Sequence, residues 1–181
     1  MIKTGLKPNL PYAGILVVGA ALLIVNAGKL SAGTLLNYTL ILVFGYIAAI
    51  IDIRTKQIPN SLVLAMIAAW VISMTPQLFV STGGTVTLLT DSLLGFLFGG
   101  GLFMLVYVVS RKGLGGGDVK YMASVGLYLG FSGAVTTMLC GTVLAALTGL
   151  VLILQRKIGR KDKIPLAPFL YIGILITVFL Q

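Results

Sequence analysis

Long, almost uncharged apolar runs follow one another along this chain, at roughly residues 11–28, 33–51, 61–80, 91–110, 120–155 and 165–181. A helix crossing the hydrocarbon core needs about 20 such residues. Within lipid the backbone must satisfy its own polar groups, which limits spanning segments to helices and closed barrels. The run at 120–155 is too long for one crossing and is predicted to break at Gly130-Phe131-Ser132-Gly133. The expected fold is therefore all-α: a polytopic integral membrane bundle of about 6–7 transmembrane helices, forming a single domain over residues 1–181. A soluble alternative fails on composition. Hydrophobic residues make up 58% of the chain and charged ones 9%, against about a quarter charged in ordinary soluble proteins.

The first run has the layout of a signal peptide, with Lys3 and Lys7, an apolar stretch and small residues near Ala27. It is expected to be retained as a span; six helices remain without it, or if the segment after Asp118 is re-entrant.

The net charge of +9 does not point to nucleic acid, because the cations sit in short segments between apolar spans. With the chain starting inside and alternating, Lys3, Lys7, Arg54, Lys56, Arg111, Lys112, Lys120, Arg156, Lys157, Arg160, Lys161 and Lys163 fall on one side and Lys29 alone on the other. Twelve against one sets that side as cytoplasmic. The segment "STGGTVTLLT" over 81–90 then reads as an uncharged external loop.

Acidic residues are scarce: four Asp, no Glu, and no His. Cys140 is the single cysteine, so an intramolecular disulfide and a C-x-x-C metal knuckle are excluded. A zinc site has almost no ligands to draw on, and neither metal nor cofactor is expected. The topology brings Asp52, ending the second run, and Asp118, opening the fifth, to the same cytoplasmic face. Asp91 is expected on the opposite side, capping a helix within "TDSLL", and Asp162 to pair within its basic loop.

If packing brought Asp52 and Asp118 within about 4 Å, their repulsion would reach about 4 kcal/mol at an effective dielectric near 20. Such a pair holds one proton between its members. One carboxylate can then act as base toward water while the other donates to a carbonyl oxygen, as in aspartic proteases. The plainer alternative is two solvated carboxylates paired with Arg54 or Lys120, inexpensive at a membrane surface. Gly115, Gly116 and Gly117 precede Asp118 directly. Glycine permits positive φ and close approach of another backbone, so this stretch is expected either to admit an extended substrate strand or to act as a flexible linker.

Pro59, in "DIRTKQIPN", suits the opening turn of the next helix, with Asn60 or Ser61 available to cap it. Pro165 and Pro168, in "KIPLAPFLYIG", read as a stiff approach to the last span.

Three segments together resemble the type IV prepilin peptidase family: D-x-x-x-x-x-I-P-N (Asp52, Ile58, Pro59, Asn60), G-x-G-D-V-K (Gly115, Gly117, Asp118, Val119, Lys120) and I-P-x-x-P-F (Ile164, Pro165, Pro168, Phe169). The G-x-G-D element is also similar to that of the wider intramembrane aspartyl proteases. The resemblance implies a fold of the GxGD aspartyl protease type and a metal-independent aspartic endopeptidase in the inner membrane. It implies cleavage of the short basic leader of prepilins or pseudopilins, after a glycine and at the cytoplasmic face. Asp52 and Asp118 match the two catalytic positions. Gly115, Gly116, Gly117 and Lys120 are expected to support substrate binding. Longer bifunctional members carry paired C-x-x-C motifs linked to N-methylation; with one cysteine, this chain is not expected to methylate. Its short form is similar to stand-alone peptidases of Tad-type pilus systems and to archaeal preflagellin peptidases.

A basic leader approaching a basic face is disfavoured by simple steering. Both are expected instead to concentrate at anionic lipid, each cation contributing about 1 kcal/mol. Two other function classes remain: a proton- or cation-coupled transporter using the aspartates, and a non-catalytic assembly subunit of a pilus or secretion machine. Against transport, both carboxylates map to one face and no inverted repeat relates the halves.

Overall fold

The computed structural model describes residues 31–80, 82–110, 113–157, 159 and 164–180. The signal-peptide-like run and Asp162 lie outside them. The described residues form five α-helices and no strands: α1 Ala32–Thr55, α2 Asn60–Val80, α3 Thr82–Val109, α4 Gly116–Leu154 and α5 Ala167–Leu180. The first four are long and apolar enough to cross a membrane. At 14 residues, α5 is shorter, about 21 Å. Large apolar side chains, among them Leu64, Ile72, Leu97 and Val109, face outward. Such a surface in water would drive association; in hydrocarbon it faces its natural solvent. The chain is an integral membrane protein.

Within segment 81–90, residues 82–90 are helical rather than a loop. Ser81 alone separates the end of α2 from the start of α3. Its threonines satisfy themselves on nearby carbonyls: Thr85 Oγ1 donates to Gln77 O at 2.8 Å and Thr90 Oγ1 to Thr87 O at 2.9 Å. Hydroxyls that bond locally let a Gly- and Thr-rich sequence stay helical where lipid offers no competing water.

The predicted break falls at Gly130, whose φ of 68° and ψ of −172° interrupt α4. Residues 116–129 therefore run away from Asp118, and residues 131–154 return. A backbone N–H freed at such a break needs an acceptor. Asp91 supplies it, accepting from Phe131 N at 3.1 Å. Asp91 lies within α3 rather than capping it, so the "TDSLL" expectation gives way to a cap on a different helix.

Backbone contact explains the closeness of α3 to the first half of α4. A Cβ on Gly95 would strike the Gly126 and Gly130 carbonyls, and one on Gly126 would strike Gly95. Small residues let membrane helices approach in this way. Tyr128 Oη donates to Met66 O at 2.6 Å, which ties α4 to α2. Thr137 and Thr177 share a buried 2.9 Å hydrogen bond between α4 and α5.

Candidate active site

This topology sends α1 and the second half of α4 toward the same end of the bundle from which α2 and the first half of α4 depart. Asp52 lies on the last turn of α1 and Asp118 on the first turn of α4. The described cations Arg54, Lys56, Lys120, Arg156 and Lys157 flank the same helix ends.

Asp52 and Asp118 line one cavity of about 360 Å³, together with Lys56, Gln57, Ile58, Tyr107, Leu114, Gly115, Gly116 and Gly117. They are near enough for the charge of one to act on the other. Asp52 is buried, with 4% of its surface exposed. Its Oδ2 accepts from Ala167 N, the first residue of α5, at 2.9 Å. A buried carboxylate is costly without such a donor. Asp118 differs: its Oδ1 is enclosed yet has no hydrogen-bond partner among the described residues. The pair thus offers one anchored carboxylate and one with an enclosed oxygen that has no partner among the described residues.

The α1–α2 loop explains Asp52's placement. Lys56 adopts the left-handed conformation (φ 53°) that ends α1, and its N–H returns to Asp52 O. Pro59 follows, and its carbonyl accepts from Leu62 N and Val63 N, opening α2. Asn60 does not cap that helix with its side chain. Its Oδ1 accepts from Lys120 Nζ at 2.9 Å.

The three glycines all line the cavity. Their reason differs in part, because Gly130 is the only glycine with positive φ among the described residues. What counts at 115 and 117 is the missing Cβ. One on Gly115 would stand 2.6 Å from Asp118 Oδ2, and one on Gly117 would stand 3.0 Å from Ile58 O. Gly115 also caps the helix in extended conformation (φ −74°, ψ 136°), with Asp118 N donating back to its carbonyl at 3.1 Å. Lys120 is not among the residues lining the cavity; it reaches Asn60 instead. Nor do Arg54 or Lys120 form an ion pair with either aspartate among the described residues.

The sequence reading missed Ala167. Its signal was present in the third motif, since Ala167 stands between Pro165 and Pro168. These residues, whose nitrogens carry no N–H, frame Leu166 and Ala167, the two amides that act on Asp52.

The fold and site together define a class: an all-α polytopic membrane protein that gathers two aspartates from separate helices into one cavity at a bundle end. The profile of the Type IV leader peptidase family matches residues 38–153, a span that includes both aspartates. This chain belongs to that family. It is 30% identical over 140 residues to the "Prepilin leader peptidase/N-methyltransferase" of Stutzerimonas stutzeri, covering 74% of this chain and 46% of that protein. It is 32% identical over 143 residues to the protein of the same name from Pectobacterium carotovorum subsp. carotovorum, covering 74% and 47%. The match to that of Burkholderia pseudomallei (strain K96243) is 29% over 170 residues, covering 84% and 52%. The chain thus spans about half the length of these curated relatives. No solved structure matches it.

Proposed function

We propose that this chain is a membrane-embedded aspartic endopeptidase that removes the short basic leader of prepilins or pseudopilins. The observation that carries the reading is the shared cavity, which buried Asp52 and Asp118 both line. Two carboxylates in one cavity favour a single shared proton. One takes a proton from water, whose oxygen attacks the scissile carbonyl; the other gives its proton to the carbonyl oxygen. Collapse of the tetrahedral intermediate breaks the C–N bond, and the departing amine takes up a proton. The cavity of about 360 Å³ has room for an extended peptide segment beside Gly115–Gly117.

The cytoplasmic face of the inner membrane suits this reading, since the described cations flank the helix ends that carry the aspartates. Anionic lipids are proposed to concentrate enzyme and leader in the same surface layer. Vesicle assays with and without anionic lipid test that point; equal cleavage in both would sink it. Transport is less well supported, because the two carboxylates sit together at one end and mark no path across the bundle.

The test is co-expression with a tagged prepilin, comparing wild type with Asp52→Asn and Asp118→Asn by gel mobility. Shortening by wild type alone, with both variants at normal membrane levels, upholds the reading. Full cleavage by either variant overturns the dyad.

A further inference from the structure

Asn60 and Lys120 are sixty residues apart in sequence, yet they meet directly, Lys120 Nζ donating to Asn60 Oδ1 at 2.9 Å. Neither lines the cavity. Lys120 follows Asp118 by two positions, and at 3.6 residues per turn that places them about 200° apart around α4. As Asp118 faces the cavity, Lys120 faces the start of α2.

The link completes a set of fastenings on the loop between α1 and α2. At its start, Lys56 N bonds Asp52 O at 2.8 Å. In its middle, buried Ile58 lies against Gly117, its carbonyl oxygen 3.0 Å from the place of a Cβ there. At its end stands the Asn60–Lys120 bond. The two outer fastenings hold opposite walls: the first the helix of Asp52, the last the helix of Asp118. Without the last, the first turn of α4 is tied to α2 by packing alone at this point.

We propose that Lys120 and Asn60 are positioning residues, a clamp that sets the separation of Asp52 and Asp118 without touching substrate. This rests on the aspartic peptidase reading. Sub-ångström placement of reacting groups governs rate far more than it governs binding. Loss of the clamp therefore lowers kcat and leaves KM nearly unchanged.

The experiment uses the full chain in lipid vesicles with a tagged prepilin as substrate. Lys120→Met and Asn60→Leu each remove the bond while keeping bulk. Each is expected to reduce kcat about 10-fold or more, with KM within about twofold. The double variant is expected to be no worse than either single one. Asn60→Asp, which keeps an oxygen acceptor for the ammonium, is expected to retain near-wild-type kcat. If Asn60→Leu cleaves like wild type while Lys120→Met fails, Lys120 acts on its own and the clamp is overturned. A rise in KM at constant kcat also overturns it, since that marks a substrate contact.

A second arm needs no substrate. Thermal unfolding of the two single variants and the double variant forms a double-mutant cycle. Non-additive losses are expected, and strict additivity overturns the clamp. If wild type cleaves no prepilin, the peptidase reading falls, and this cycle still decides whether the two residues act as a unit.

Discussion

The Asp91 carboxylate on α3 accepts a hydrogen bond from Phe131 N, forty residues away, at the break in α4. The broken helix is thus held in shape by its neighbour. Phe131 also packs edge-on against Phe98 of α3, ring centroids 4.9 Å apart, beside the same junction.

Removing that acceptor exposes the break. Asp91→Ala is expected to destabilise the protein by about 2 kcal/mol, as for a lost hydrogen bond to a carboxylate. Gly130→Ala is expected to cost at least as much. Its φ of 68° disfavours a side chain, and the new Cβ would run into Asp91. Thermal unfolding in detergent measures both; no loss from either would show that the break holds itself.

The glycines beside Asp118 are expected to differ sharply from one another. A methyl group on Gly115 would stand 2.6 Å from Asp118 Oδ2, whereas one on Gly116 meets nothing nearer than Tyr107 Cε2 at 4.0 Å. Displacing a reacting group by about 1 Å can cost about 100-fold in rate. Gly115→Ala should therefore lower prepilin cleavage by roughly 10- to 100-fold, and Gly116→Ala should leave it nearly intact. Equal rates for the two variants would contradict the steric argument.

The amide of Ala167 can be deleted without deleting its helix. Leu166 O accepts from Phe169 N and Leu170 N, so Ala167 stands at the first helical position. Proline is tolerated there. Ala167→Pro is expected to keep α5 but remove the donor to Asp52 Oδ2 and set ring carbon against the carboxylate. Cleavage should fall at least about 10-fold, with helicity by circular dichroism unchanged. Wild-type cleavage would mean that Asp52 does not depend on this amide.

Thr137 and Thr177 test polar pairing inside the bundle. Their shared bond is buried between α4 and α5. Thr137→Val alone is expected to cost about 1 kcal/mol, near the range for buried hydrogen bonds between membrane helices. Thr177 Oγ1 also donates to Gly173 O at 2.9 Å, so it keeps a partner when Thr137 is replaced. Adding Thr177→Val should cost somewhat more by removing that second bond. Unfolding of the single and double variants decides it.

Hydropathy made the spans legible, because a lipid-facing helix must be apolar over its whole length. The break at Gly130 showed through as well, since the run at 120–155 exceeded one crossing and contained a glycine pair to interrupt it. Topology alone sent Asp52 and Asp118 to one end. What stayed hidden were bonds between residues far apart in sequence. Asp91 looked like a cap for its own helix because local patterns refer only to neighbours, and its true partner is Phe131. Ala167 has no side chain that could advertise its amide. Asn60 looked like an N-cap by type, yet Pro59's carbonyl opens α2 and leaves the Asn60 side chain for Lys120. Residues 82–90 carried loop composition, yet they are helical, with the Thr85 and Thr90 hydroxyls bonded to nearby carbonyls.

The hydrogen bond from Ala167 to Asp52 joins residues 115 positions apart, and that separation has a consequence in time. A ribosome making this chain completes both aspartates long before it reaches the amide that seats the first of them. Through that interval the nascent chain has its acidic pair but not the setting that fixes it. The setting of Asp52 is thus completed late in translation, once Ala167 has been made.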